Sequence, residues 1–181
     1  MSLFGSDPHG EAEVFAPAVY EGHILPAYQI SNRGNMIGRF NKPIKGSFLF
    51  RKCPTTGKRI PTAHSFQLNI PLDLVSSFYR EGYIPANHGP VPKRGRRKAR
   101  KQIMTHRCVM ETFSPLGSCP IEYWTQEEWD NTPDAIKAVL RSTMQVDHID
   151  ADPHNNDIRN LRWVTMKDNN HRVKQTLLEI S

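Results

Sequence analysis

Near the C-terminal end of this 181-residue chain, Asp147, His148 and Asn169 have the types and spacing to hydrolyse a phosphate ester. A carboxylate and an amide oxygen are hard donors. They suit Mg2+ or Mn2+, cations that keep several waters and take the rest of their shell from substrate phosphate. Two protein ligands suffice when phosphate completes the shell. An imidazole, with an ordinary pKa of about 6.5, is largely neutral at pH 7 and can accept a proton from water. The chemistry indicated is metal-assisted hydrolysis of a phosphodiester. His154 and His171 are further candidates for metal or phosphate contact, the first in a loop and the second on a different helical face from Asn169.

For these side chains to meet, residues 144–175 must fold as strand, loop, strand and helix. A short apolar strand ends in Asp147-His148, and the following stretch, 149–157, is rich in turn formers. A second strand is expected over 160–165. Thr165 and Asp168 have capping-box spacing with Asp in place of Glu, which predicts a helix from Met166 to about residue 178. Asn169 lies in its first turn and shares a face with Val173 and Leu177, so it points toward the strands. Neighbours on a regular strand face opposite ways, so the strand must end or twist at His148 if Asp147 and His148 serve one site.

Upstream, all 11 Gly and 11 of the 14 Pro fall at or before residue 117, which predicts strands, turns and loops there. Asn32-Arg33-Gly34 between apolar flanks predicts a hairpin over 28–38. Residues 48–50 and 66–70 are strand candidates, and Pro71 opens a predicted short helix to Glu81, followed by loop through the basic run. A helix is predicted from Thr105, with Val109 and Phe113 on one face. Thr132-Pro133-Asp134 supplies N-cap, N1 proline and first-turn acid for another, whose buried stripe is Ile136, Val139, Leu140 and Met144. Trp124 and Trp129 are expected core anchors.

The net charge of +6 is concentrated. Lys93, Arg94, Arg96, Arg97, Lys98, Arg100 and Lys101 place seven positive charges in nine residues, which leaves the remainder of the chain at −1. Such a run binds polyanions by releasing condensed counterions. His106, Arg172 and Lys174 are added as candidate phosphate contacts. With 38% hydrophobic and 23% charged residues and no long apolar run, the composition is that of a globular chain and excludes a membrane span. Cys53, Cys108 and Cys119 form no C-x-x-C pair, and residues 1–22 lack a signal-peptide pattern, so a reducing cytoplasm is the expected compartment.

Asp147-His148, then Asn160-Leu161-Arg162-Trp163-Val164-Thr165, then Asp168-Asn169 resembles the ββα-metal motif of the HNH endonucleases, also called His-Me finger nucleases, most closely the phage homing-endonuclease branch. The resemblance implies that His148 is the general base, that Asp147 and Asn169 bind one catalytic Mg2+ or Mn2+, and that Asn160 steadies the loop around His148. It also implies that the metal stabilises a pentacovalent phosphorane and the departing 3′ oxygen, leaving 5′-phosphate and 3′-hydroxyl ends. Thr105-His106-Arg107-Cys108-Val109 resembles the helix that precedes the family's active site, and residues 28–37 resemble the hairpin of its N-terminal module. Cys108 replaces the family's leucine, as a buried apolar thiol would. Two departures stand out: an insertion at 114–143, and a chain that stops soon after the catalytic helix.

The expected fold class is α+β: a small antiparallel β module over 1–92 that binds DNA, a basic phosphate-binding linker over 93–102, and a ββα-metal nuclease domain over 103–181 with additional helices. The expected partner is double-stranded DNA, cut by a monomer that nicks one strand more readily than it cuts both. The alternatives are a non-catalytic nucleic-acid-binding protein of the same fold, and a packaging or host-DNA-degrading nuclease. Replacing the seven basic residues should weaken binding to all sequences and flatten the salt slope, each lost phosphate contact removing about 0.9 from its magnitude. Fluorescence anisotropy across a salt series reads this, and an unchanged slope would make the run a solvated linker.

Overall fold

A computed structural model describes residues 12–71, 98–117 and 124–169. Among the described residues two small antiparallel sheets come first, then three α-helices, then a third antiparallel sheet. The first sheet has the order β1 (Phe15–Tyr20), β2 (His23–Ser31), β3 (Met36–Ile37). Glu21 and Gly22 join β1 to β2 with φ of 52° and 78°, the left-handed pair that matches the twist of a two-residue hairpin. The hairpin expected over 28–38 is present, with Gln29 opposite Ile37 and Ile30 opposite Met36. Ser31 Oγ accepts from the amides of Arg33 and Asn35 at 3.2 and 2.9 Å, and Gly34 takes the left-handed φ of 82° that closes the turn.

The second sheet has the order β4 (Ser47–Lys52), β5 (Arg59–Pro71), β6 (Lys98–Met104). Both expected strand segments fall inside β4 and β5. Leu68 and Ile70 are buried while Gln67 and Asn69 are exposed, the alternation of a half-buried strand. Pro71 closes β5 instead of opening a helix, and the helix expected after it lies outside the described residues.

The basic run departs from the expected loop. From Lys98 onward the chain is strand, with Leu68 opposite Lys101 and Asn69 opposite Arg100. Charge density reads as loop, but Arg100 faces solvent while Lys101 and Ile103 face inward, so the period is that of a strand. Lys101 is only 8% exposed, and its ammonium lies 3.6 Å from Glu21 and 5.9 Å from the Tyr20 ring centre. Its charge ties the two sheets together. Lys93, Arg94, Arg96 and Arg97 lie outside the described residues.

Strand β6 runs directly into α1 (Thr105–Phe113), which carries the expected buried Val109. One core joins all of these parts. Ala18, Leu25 and Ile30 of the first sheet meet Phe66, Leu68, Ile70 and Ile103 of the second, Cys108 and Val109 of α1, and Val146 and Leu161 of the C-terminal hairpin. The sequence division at residue 92 therefore does not divide the core. Burial pushes the Cys108 thiol up to about 12, with the Glu111 charge adding to the effect, as a buried apolar thiol requires.

A second cluster gathers Leu116, Trp129 and Met144, with Trp124, Leu140 and Trp163 against it. Here α2 (Gln126–Asp130) starts with a capping box between Thr125 and Glu128. The next helix, α3 (Asp134–Thr143), corrects the expected cap: Pro133 is the N-cap, and the Thr132 hydroxyl donates to Glu128 O at 2.7 Å, closing α2. Its expected stripe is also only half buried. Leu140 and Met144 meet the cluster, whereas Ile136 and Val139 are 48% and 55% exposed. Among the described residues no helix is long and apolar enough to cross a membrane. Trp129→Ala should lower stability by about 3–5 kcal/mol, measured by urea denaturation, because it empties the centre of this cluster.

Candidate active site

Strands β7 (Gln145–His148) and β8 (Leu161–Val164) form an antiparallel hairpin with Asp147 opposite Arg162 and His148 opposite Leu161. A helix follows, described over 166–169. It starts at Met166 as predicted. Thr165 Oγ1 accepts from the Asp168 amide at 3.2 Å and donates to the Asp168 carboxylate at 2.6 Å. His171, Arg172 and Lys174 lie outside the described residues.

Gln145 and Asp147 are two residues apart on β7 and share a face. The Asn169 amide nitrogen donates to Gln145 Oε1, so Asn169 reaches back to that same face. Its nitrogen is thereby engaged, and its oxygen is the acceptor end. Across the strand, Arg162 Nε and Nη2 donate to Asp147 Oδ2 at 3.2 and 3.0 Å. The face thus presents a carboxylate and an amide oxygen, the hard donor set that Mg2+ or Mn2+ takes. Among the described residues no group of three or more His, Cys, Asp or Glu could hold a metal. Gln145 and Arg162 were not singled out from sequence. Period two marks Gln145, but Arg162 needs the strand register.

Strand β7 stops at His148, as the adjacency of Asp147 and His148 demands. Asn160 enforces the stop. Its backbone oxygen accepts from Ile149 N at 2.8 Å, and its side-chain oxygen accepts from Asp150 N at 3.1 Å. Its side-chain nitrogen donates to Asp150 Oδ1 at 2.9 Å and to Asn155 O at 2.8 Å. Burial pushes the Asp150 carboxyl up, yet hydrogen bonds from Asp152, Asn155 and Asn160 outweigh it and hold the group below the usual carboxylate value. The His148 ring stands edge-on to His106, with centroids 5.3 Å apart, and its Nε2 lies 3.3 Å from Asn156 Oδ1. His154 instead packs on Phe48 of β4, with centroids 4.0 Å apart.

Residues 139–171, which span the end of α3, both strands and Asn169, match the family model described as HNH endonuclease. Over that segment the chain is similar to the HNH endonucleases. A solved structure described as "DNA binding and cleavage by the HNH homing endonuclease I-HmuI" is similar with a TM-score of 0.40 and 21% identity, over 83% of this chain and 53% of that one. The chain thus spans about half the length of the solved protein it matches. No curated protein matches it.

The matched segment is held from outside its own hairpin. Arg107 of α1 donates to Met144 O at 3.1 Å and lies 5.6 Å from the Trp163 ring centre, while Trp163 Nε1 donates to Ser114 O at 2.9 Å. From the first sheet, Asn32 O accepts from Ile158 N at 2.8 Å.

His106 corrects its expected role as a phosphate contact. Its Nδ1 is sealed from solvent and has no hydrogen-bond partner among the described residues. Burial above all, then the His148 and Arg107 charges, push its imidazole down to about 3. It is a neutral ring that packs against His148. An unfolded chain takes up a proton at this residue below about pH 6.5, which the folded chain refuses until about 3. The stability it supports is therefore complete above the unfolded value and lost as pH falls. In urea denaturation, the difference between wild type and His106→Phe should shrink by up to about 1.4 kcal/mol per pH unit from about pH 6 to 5, and a flat difference would show a ring that protonates freely when folded.

Proposed function

We propose that this chain is a divalent-metal-dependent HNH endonuclease that hydrolyses a phosphodiester bond of double-stranded DNA. The observation that carries the reading is the joint placement of Asp147 and Asn169 on one face of β7 with His148 at the strand's end, inside the segment that matches the HNH endonuclease family. His148 takes a proton from the attacking water. Asp147 and Asn169 would hold Mg2+ or Mn2+, which when bound supplies positive charge for the phosphorane and the departing 3′ oxygen. Arg162 fixes the Asp147 carboxylate from across the hairpin, and Gln145 fixes the Asn169 amide. Asn160 holds the loop that follows the base.

Arg100 on the outer side of β6, with Lys93, Arg94, Arg96, Arg97 and Lys98, draws the phosphate backbone. One site per chain favours a nick over a double-strand cut. The homing branch is supported by residues 28–37 and by α1, whose sequences resemble that branch and which pack onto the same core as the HNH hairpin.

Supercoiled plasmid tests the reading. Purified protein with Mg2+ should convert it to the nicked form, EDTA should abolish the conversion, and His148→Ala should slow it by about 100- to 10,000-fold. Cleavage that survives chelation, or that His148→Ala leaves intact, would overturn the mechanism. Binding without any cleavage under both Mg2+ and Mn2+ would favour a DNA-binding protein on a silent nuclease fold.

A further inference from the structure

Asn156 is only 5% exposed, one of the few polar side chains in the interior of the described residues. Its Nδ2 lies 3.3 Å from the carbonyl oxygens of both Pro153 and His154. Those oxygens only accept, so this end of the amide is the donor nitrogen and the other end, Oδ1, can only accept. Oδ1 is the atom 3.3 Å from His148 Nε2. A hydrogen must therefore sit on Nε2. A neutral imidazole carries one N–H, which leaves the lone pair on Nδ1.

Asn156 is itself pinned by the N-terminal sheet. The turn between β2 and β3 lies against it: a Cβ on Gly34 would fall 2.7 Å from Asn156 Cβ and 3.0 Å from Thr105 Cγ2. Two residues on, Ile158 N donates to Asn32 O of that turn at 2.8 Å. Thr105 opens α1, whose next residue, His106, flanks the His148 ring. Three elements thus converge where only glycine leaves room.

We infer that Asn156, clamped under the Gly34 turn, is a positioning residue that fixes His148 in its Nε2–H tautomer, so that Nδ1 is the nitrogen that takes the proton. The N-terminal sheet is then a wall of the nuclease site. The catalytic part of this statement rests on the nuclease reading; the tautomer does not.

The test uses the full chain with 15N-labelled histidine, His148 being assigned by comparison with His148→Ala. In wild type the neutral His148 ring should show a protonated Nε2 and a bare Nδ1. Asn156→Leu, which removes the acceptor, should give mixed tautomers and slow plasmid nicking by about 10- to 100-fold in kcat with little change in KM. Asn156→Asp keeps an acceptor toward Nε2 but sets an oxygen against the Pro153 and His154 carbonyls, so it should restore the tautomer and only part of the rate. Gly34→Ala, which crowds Asn156 from the opposite side, should shift the tautomer in the same direction as Asn156→Leu. A wild-type ring protonated on Nδ1 overturns the inference even if the Leu variant fails to fold. So does a folded Asn156→Leu chain with unchanged tautomer and rate. A wild-type chain that cleaves nothing, yet shows the Nε2–H tautomer lost in Asn156→Leu, overturns the nuclease reading and supports the positioning role.

Discussion

The alternation of side chains along an extended strand governs this molecule, because Asp147 and His148 are neighbours and a regular strand would send them to opposite faces. The chain meets the constraint by stopping. Strand β7 ends at His148, and the stop is held by Asn160, whose backbone and side chain together engage Ile149, Asp150 and Asn155. Loops of this kind expose backbone polar groups that must find partners. Much of that satisfaction comes from the loop's own Asp and Asn side chains: Asp150 accepts from Asp152 N, Asp152 from His154 N, and Asp157 from Arg159 N. A loop wired internally can hold a histidine without covering it.

Two paired strands of four residues have little stability of their own. The hairpin acquires it by burying Val146 and Leu161 in a core that also receives Leu25, Ile30, Phe66, Ile103 and Val109. Strands β1 to β3 and β5 to β8 and helices α1 to α3 all contribute to that core or to the smaller one around Trp129. The N-terminal sheets are consequently structural support for the β7–β8 hairpin.

Much of the site was legible in the residues themselves, and for a local reason. Asp147-His148, Asn160 and the Thr165–Asp168 cap lie within about one supersecondary unit, where short-range patterns govern conformation. The turn at Asn32-Arg33-Gly34 was legible for the same reason, since glycine answers a φ that other residues resist. What could not be read is what long-range register decides. Arg162 meets Asp147 only because β7 and β8 pair in one register. Gly34 meets Asn156 only because the first sheet docks on the loop. Lys101 reads as one cation among seven, and only the pairing of β5 with β6 turns it inward toward Glu21. The apolar stripe of α3 was half misread because periodicity shows that a face is apolar, not how far along the helix a partner extends.

The passage from β6 into α1 has a mechanical consequence. Met104 ends the strand and serves as the N-cap of the helix, so no linker residue separates Arg100, on the outward side of the sheet, from His106 beside His148. A strand laddered along β5 cannot pivot on its own, and a helix that begins on the next residue inherits its orientation. The basic strand and the wall of the site behind His148 are one stiff piece of backbone, in which a load taken up at Arg100 has no hinge to absorb it.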